Sequence, residues 1–507
     1  MRFRSIIALL LVGSFHQWLL AVPLPVGPKR GPIERATIDA YKKLGADYGG
    51  FVVNQLGCIE FHTGERAAAQ GLPGFKFESP EGRKELTLPP VHVAFGLDLN
   101  GMQMTDELLK QLKSLTNLMA LDLDRSHISD KGLQDLNGLS NLTTFNLAHN
   151  GVTDDGIERL IGLRNLIVLD LVGANVSDAG LSQLKALKNL KALHLGATDI
   201  TDAGLKELQA LKKLEHLSIW TTPVTDAGMK ELKDMKSLIS LDLTYTAIGD
   251  KGMQELKGLR KLRSLKLGKT QVTDLGLKEL KNYENLTEID LSKTDVTDVG
   301  LKELAGLKTL ISVDLSGTHL TDVGLEKLKE LKNLAELDVS NTKITDDGVK
   351  ELEALTNLTS LHLANTGVTN MGLKYLKKLK SLTSLNLCGT TVTDDGLKEL
   401  KDFRELRWLG LGNTAITDVG LKELKCFVNL TSLELGYTEV TDLGLKELRH
   451  LKSLRRLSLC RTSVTDAGLK ELKELKNLSQ LFLDETSVTE TGTQDFRQAL
   501  PRCQVVR

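Results

Sequence analysis

The chain has 507 residues, with 65 Lys+Arg against 66 Asp+Glu and a formal net charge of −1. So even a balance gives no broad attraction for nucleic acid or an anionic membrane, and a composition 41% apolar and 26% charged excludes global disorder. Five cysteines in this length exclude a small disulfide framework.

The chain opens on Met1-Arg2-Phe3-Arg4, followed by an apolar run from Ile6 to Phe15 that resumes at Trp18-Leu19-Leu20-Ala21. A basic start and a short apolar stretch predict a signal peptide over residues 1–21, cleaved after Ala21. The expected destination is outside the cell, in the periplasm or in the cell envelope. The run is too short to span a bilayer, and no later stretch reaches that length, so no transmembrane anchor is expected after cleavage. Residues 22–92 form a Pro-rich leader and N-terminal cap. Pro23, Pro25, Pro28 and Pro32 stiffen the leader. A helix is predicted from Ile33 to Leu44, ending at Gly45, and a strand at Phe51-Val52-Val53. The cap is expected to cover the exposed core of the first repeat.

From there one period governs the chain. Leucine or a close substitute recurs at Leu97, Leu121, Phe145 and Leu169, and then at every 24th residue to Leu481, making 17 units without insertion or deletion. These units are assigned to residues 93–492. Within one of them Leu193 and Leu195 alternate with His194, the period of a strand with one buried face. Thr201-Asp202 then supplies helix N-cap chemistry, and Leu205, Leu208 and Leu211 follow at helical spacing. Each unit reads as strand, turn, short helix and return, too small to stand alone and stable only when stacked. Phe496, Leu500 and Cys503 to Val506 predict a last helix and half-strand in a C-terminal cap, residues 493–507.

The pattern L-x-x-L-x-L-x-x-T-x-V-T-D-x-G-L resembles a leucine-rich repeat, with thirteen threonines from Thr198 to Thr486 at the usual asparagine position. The resemblance implies an α/β solenoid, a horseshoe with a concave parallel sheet and short convex helices. The T-D-x-G-L stretch is similar to secreted bacterial proteins of 24-residue repeats and, more distantly, to the cysteine-containing repeats of F-box substrate receptors. The chain has neither a cysteine ladder nor an F-box-like segment, which favours the bacterial group.

No chemical motif accompanies the repeat. No zinc-protease, nucleophile-elbow or phosphate-loop pattern occurs. Cys58, Glu60 and His62 lack a fourth ligand for a metal. No enzyme activity, cofactor or metal is therefore expected, and the cysteines are expected to be mostly free thiols. The recurring Gly of T-D-x-G-L reads as a packing or turn residue. Function is expected on the outward side chains of the concave sheet, for a protein or glycan partner. His194, His216, Trp220 and Tyr245 form one candidate cluster, and Trp408, Tyr437, Arg456 and Arg461 a second. The file Asp290, Asp314 and Asp338 lies between them. Aromatic and Arg side chains are the usual interface anchors. The alternatives are a structural envelope spacer and a substrate adaptor like the F-box receptors; sequence gives no oligomeric state.

Overall fold

The computed structural model describes residue 29, residues 31–78 and residues 87–507. The expected signal peptide and most of the Pro-rich leader lie outside the described residues. The described chain forms two compact units, one ending at Gln271 and the other running Val272–Arg507.

Both units are built from the same 24-residue element. In the first, strands such as Thr144–Asn146, Val168–Asp170, Ala192–His194 and His216–Ser218 pair in parallel, each residue opposite the one 24 positions on. The second repeats this from Glu288–Asp290 to Gln504–Val506. Most strands hold only three residues, because the central aliphatic side chain alone points inward: Leu169, Leu193, Val313 and Leu337 are at most 2% exposed.

The opposite side of most repeats is a short helix of four to seven residues, often continued by a 3-10 turn, as at Asp202–Leu205 and Lys206–Ala210; at Gly420–Cys426 the whole segment is 3-10. Thr201 caps it, its hydroxyl accepting from the Ala203 N–H at 3.3 Å. The same hydroxyl donates to Asp178 Oδ2 of the preceding unit at 2.6 Å, while the Thr201 N–H reaches Asp178 Oδ1 at 2.8 Å. A Cβ on Gly204 would stand 2.2 Å from that carboxylate. The glycine of T-D-x-G is thus a close-approach residue, and the motif is an inter-unit clasp. Asparagines beside the return segment make a second ladder: Asn141, Asn357 and Asn477 each donate to a backbone carbonyl 25 residues earlier, at 2.8, 2.7 and 2.8 Å.

The N-terminal segment holds α1 (Arg35–Lys43), β1 (Ala46–Val53), β2 (Ile59–Thr63), α2 (Glu65–Gln70) and β3 (Leu72–Phe77). Central β1 pairs antiparallel with β2 and β3. Strand β3 then pairs in parallel with β4 (Phe95–Asp98), Phe75 opposite Leu97, so the segment joins the edge of the repeat sheet. Tyr41 stacks on Phe75 at 3.8 Å between ring centroids, and both are fully buried. At the far end, helix Glu490–Ala499 precedes strand Gln504–Val506, which pairs with Gln480–Phe482.

Candidate interaction surface

The first and third residues of each strand point away from the core. In the unit ending at Gln271 the first positions of five successive strands, Gly96, Ala120, Thr144, Val168 and Ala192, are small or apolar, and His216 follows them. That floor is occupied by the chain itself. Phe51 lies against Gly96, where a Cβ would meet its ring at 2.4 Å, and it clusters with Leu72, Ala94, Met119 and Ala120. Val53 packs on Ile167, Val168 and Ala192. The hairpin of β1 and β2 therefore lies on the sheet's outward face, in addition to the edge pairing through β3.

This changes the first candidate cluster. His194 and His216 are 4% and 8% exposed beneath the hairpin turn. Gly57 sits against Ala192 and His216, and Cys58 Sγ lies 3.6 Å from His194 Nε2. Neither imidazole is open to a partner in this arrangement. Burial lowers His216 to about 4, with Glu215 opposing it. At His194 burial also acts downward, but the hydrogen bond and charge of Cys58, then Asp170, outweigh it and raise the ring to about 9. The run of small first-position residues is the one sequence signal of this cover; the Cys58–His194 pairing, 136 residues apart, leaves no such signal.

Trp220 and Tyr245 lie past the ends of their strands, since the strands stop at Ser218 and Asp242. Tyr245 takes a left-handed φ of +60° and is 55% exposed, with Lys269 Nζ 4.8 Å from its ring centroid. Trp220 is half-buried, its indole over Gly196, where a Cβ would meet Nε1 at 2.1 Å. Both are rim residues beside the sheet face. Tyr437 repeats the arrangement in the other unit, with φ +61° and Arg461 4.9 Å over its ring.

In the unit Val272–Arg507 the outward positions are larger and more polar. Asp290, Asp314 and Asp338 stand in register on adjacent strands. Each accepts through Oδ1 from the N–H two residues on, at 2.8 Å, which fixes the file. Burial pushes Asp314 up to about 7, and the Asp338 and Asp290 carboxylates add to it. His362 ends the file, its Nδ1 3.7 Å from Asp338, and stacks on Trp408 at 5.8 Å between centroids. Arg456 lies 4.7 Å over Phe482, with Nε 3.7 Å from Glu434, a charge contact rather than a hydrogen bond. The structure thus brings together the Asp file with His362 and Trp408, and separately Arg456 with Glu434 and Phe482.

All five cysteines are free. Among the described residues no group of three His, Cys, Asp or Glu side chains is placed to hold a metal ion, and no helix is long and apolar enough to cross a membrane.

A family profile described as "Leucine Rich repeat" matches residues 114–136, 138–160, 186–208, 235–257, 258–281, 284–305, 306–329, 330–352, 354–377, 378–401 and 428–448, about half of the chain. No curated protein matches. Among solved structures, an internalin from Listeria monocytogenes is 24% identical with a TM-score of 0.42, the match covering 64% of this chain and 82% of that one. A leucine-rich repeat protein from Leptospira interrogans is 24% identical with a TM-score of 0.44, covering 84% and 100%. The eleven profile matches and the 24-residue register of the strands lead to one assignment: the chain belongs to the leucine-rich repeat family.

Proposed function

We propose that the chain is a non-catalytic interaction scaffold, exported by its first 21 residues, that holds a protein partner on the outward face of its strands. The T-D-x-G-L clasp supports reading its repeats as the 24-residue type with helical outer segments, as in secreted bacterial proteins. The observation that carries the proposal is the docked hairpin: this sheet face already accepts a peptide segment, the chain's own, wherever its first positions are small. In the unit Val272–Arg507 the outward strand positions present carboxylates and aromatics suited to a different occupant. Asp314, held up by burial and two neighbouring carboxylates, would be relieved by a cation. The partner is therefore read as a basic segment of a protein crossing the Asp file toward Trp408.

Calorimetric titration of the full chain with a lysine-rich octapeptide tests this. We expect binding that weakens as salt rises, and that falls about tenfold when Asp314→Asn and Asp338→Asn are combined. Equal binding by that double variant would contradict the proposal, as would no binding by the parent protein. Binding of a neutral oligosaccharide instead of the peptide would replace the protein partner with a glycan.

A further inference from the structure

The turn joining β1 to β2 brings a thiol to a buried imidazole. Asn54 shapes the turn: its Oδ1 accepts from the N–H groups of Leu56 and Cys58, both at 3.0 Å, and its own N–H donates to the Cys58 carbonyl at 2.8 Å. Gly57 takes a φ of +81°, and a Cβ there would stand 2.6 Å from the Ala192 methyl and 3.1 Å from His216. Only glycine lets the turn settle this deeply.

Cys58 Sγ consequently lies 3.6 Å from His194 Nε2, while the thiol itself stays partly exposed. His194 is held from two further sides, by the Gly57 backbone and by the charge of Asp170, which stands beside it in strand register. On the next strand His216 is buried, and its Nδ1 has no hydrogen-bond partner. A partnerless polar atom is costly to maintain in so tight a floor. Here it lies on a side chain packed against the turn residue that precedes the thiol. Nucleophile, base and orienting groups are therefore assembled on a turn and two strands, an arrangement unrelated to repeat packing.

We propose that Cys58 and His194 form a nucleophilic thiol–imidazole pair, and that Cys58 is a site of S-thiolation by low-molecular-weight disulfides. In the reactive form of the pair His194 Nε2 carries the proton and the Sγ thiolate attacks one sulfur of RS–SR. The Cys58–S–S–R bond forms, the reagent's S–S bond breaks, and the departing thiolate collects the proton from His194 and leaves as RSH. One disulfide is consumed and one is made, so the incoming disulfide is the only oxidant.

The other thiols provide an internal contrast. Burial pushes Cys388 and Cys503 up to about 11 each, and it also raises Cys426 and Cys460. Cys426 donates to the Glu423 carbonyl at 3.3 Å and Cys460 to the Asp484 carboxylate at 3.3 Å, neither of which would draw off a proton to leave a nucleophile.

Incubating the full-length native protein with glutathione disulfide, and following each cysteine peptide by mass spectrometry, tests the pairing. Cys58 is expected to react at least about tenfold faster than each of the other four, with the advantage lost in concentrated urea. His194→Gln is expected to slow Cys58 by about tenfold or more with the far-UV circular dichroism unchanged. Gly57→Ala, in the buried turn, removes the close approach while leaving both the thiol and the His194 imidazole in the chain, and is expected to slow it similarly. Cys58 reacting no faster than the other four in the native parent protein, or at the parent rate in folded His194→Gln or Gly57→Ala protein, would overturn the proposal.

Discussion

Asn150→Ala is expected to cost about 3–5 kcal/mol, because it removes five hydrogen bonds at a site where water cannot replace them. Asn150 is 5% exposed. Its Nδ2 donates to the carbonyls of Leu123, Leu147 and Ala148 at 2.8, 3.0 and 3.0 Å. Its Oδ1 accepts from the N–H groups of Ser126 and Ile128 at 3.1 and 2.9 Å, and those residues are 0% and 1% exposed. Two units are tied together by one amide. In thirteen other units threonine takes this position and keeps only the local bond, as Thr198 Oγ1 does to the Leu195 carbonyl at 2.6 Å. Asn150→Thr should therefore recover the Leu147 bond and leave the inter-unit bonds broken, losing roughly half as much stability. Urea unfolding of the parent and both variants checks the order. Equal stability of Asn150→Ala and parent would show that the bonds to Ser126 and Ile128 are not formed in solution.

The second large effect is expected at Asp346, in the clasp between units. Its Oδ1 accepts from the N–H groups of Thr369 and Gly372 at 2.8 and 2.9 Å, and its Oδ2 from the Thr369 hydroxyl at 2.6 Å. That hydroxyl in turn accepts from the Met371 N–H at 3.1 Å, capping the helix. Asp346→Ala breaks all three bonds and is expected to cost about 2–3 kcal/mol. Asp346→Asn is expected to cost about 1 kcal/mol, for a reason the chain itself displays one unit later. There Asn370 accepts from the Thr393 N–H at 2.9 Å but donates to the Thr393 hydroxyl at 2.8 Å, and Thr393 no longer caps its helix. An amide keeps the clasp and gives up the cap. Urea midpoints in the order parent, Asn, Ala would support this; Asp346→Asn as unstable as Asp346→Ala would contradict it.

The repeat is legible in sequence because its physics is local. The alternation at Leu193 and Leu195 identifies the strand, Thr201 identifies the cap, and strict spacing makes each unit repeat the last. What depends on contacts between distant residues is not legible. The glycine of T-D-x-G reads as packing or turn from sequence alone; its reason is a carboxylate 26 residues earlier, as Asp178 is to Gly204. Tyr245 and Tyr437 look like sheet residues until the strands prove only three residues long, which leaves both in left-handed turns at the rim. His194 and His216 look exposed by alternation, and they would be, had the hairpin not covered them. That cover is a tertiary contact between a turn at Gly57 and strands more than 130 residues away, and periodicity carries no information about it.

The 24-residue unit is the quantum of this structure, so that length can change only in whole units. Deleting residues 313–336 joins Ser312 to Leu337 and restores a Ser-Leu-Asp strand in place of Ser-Val-Asp. Deleting residues 313–324 joins Ser312 to Leu325, so that a strand runs into the middle of helix Asp322–Leu328. Thermal unfolding followed by circular dichroism compares them directly. The 24-residue deletion is expected to unfold cooperatively within roughly 5 °C of the parent, and the 12-residue deletion to lose that transition. Equal tolerance of the two deletions would contradict the account.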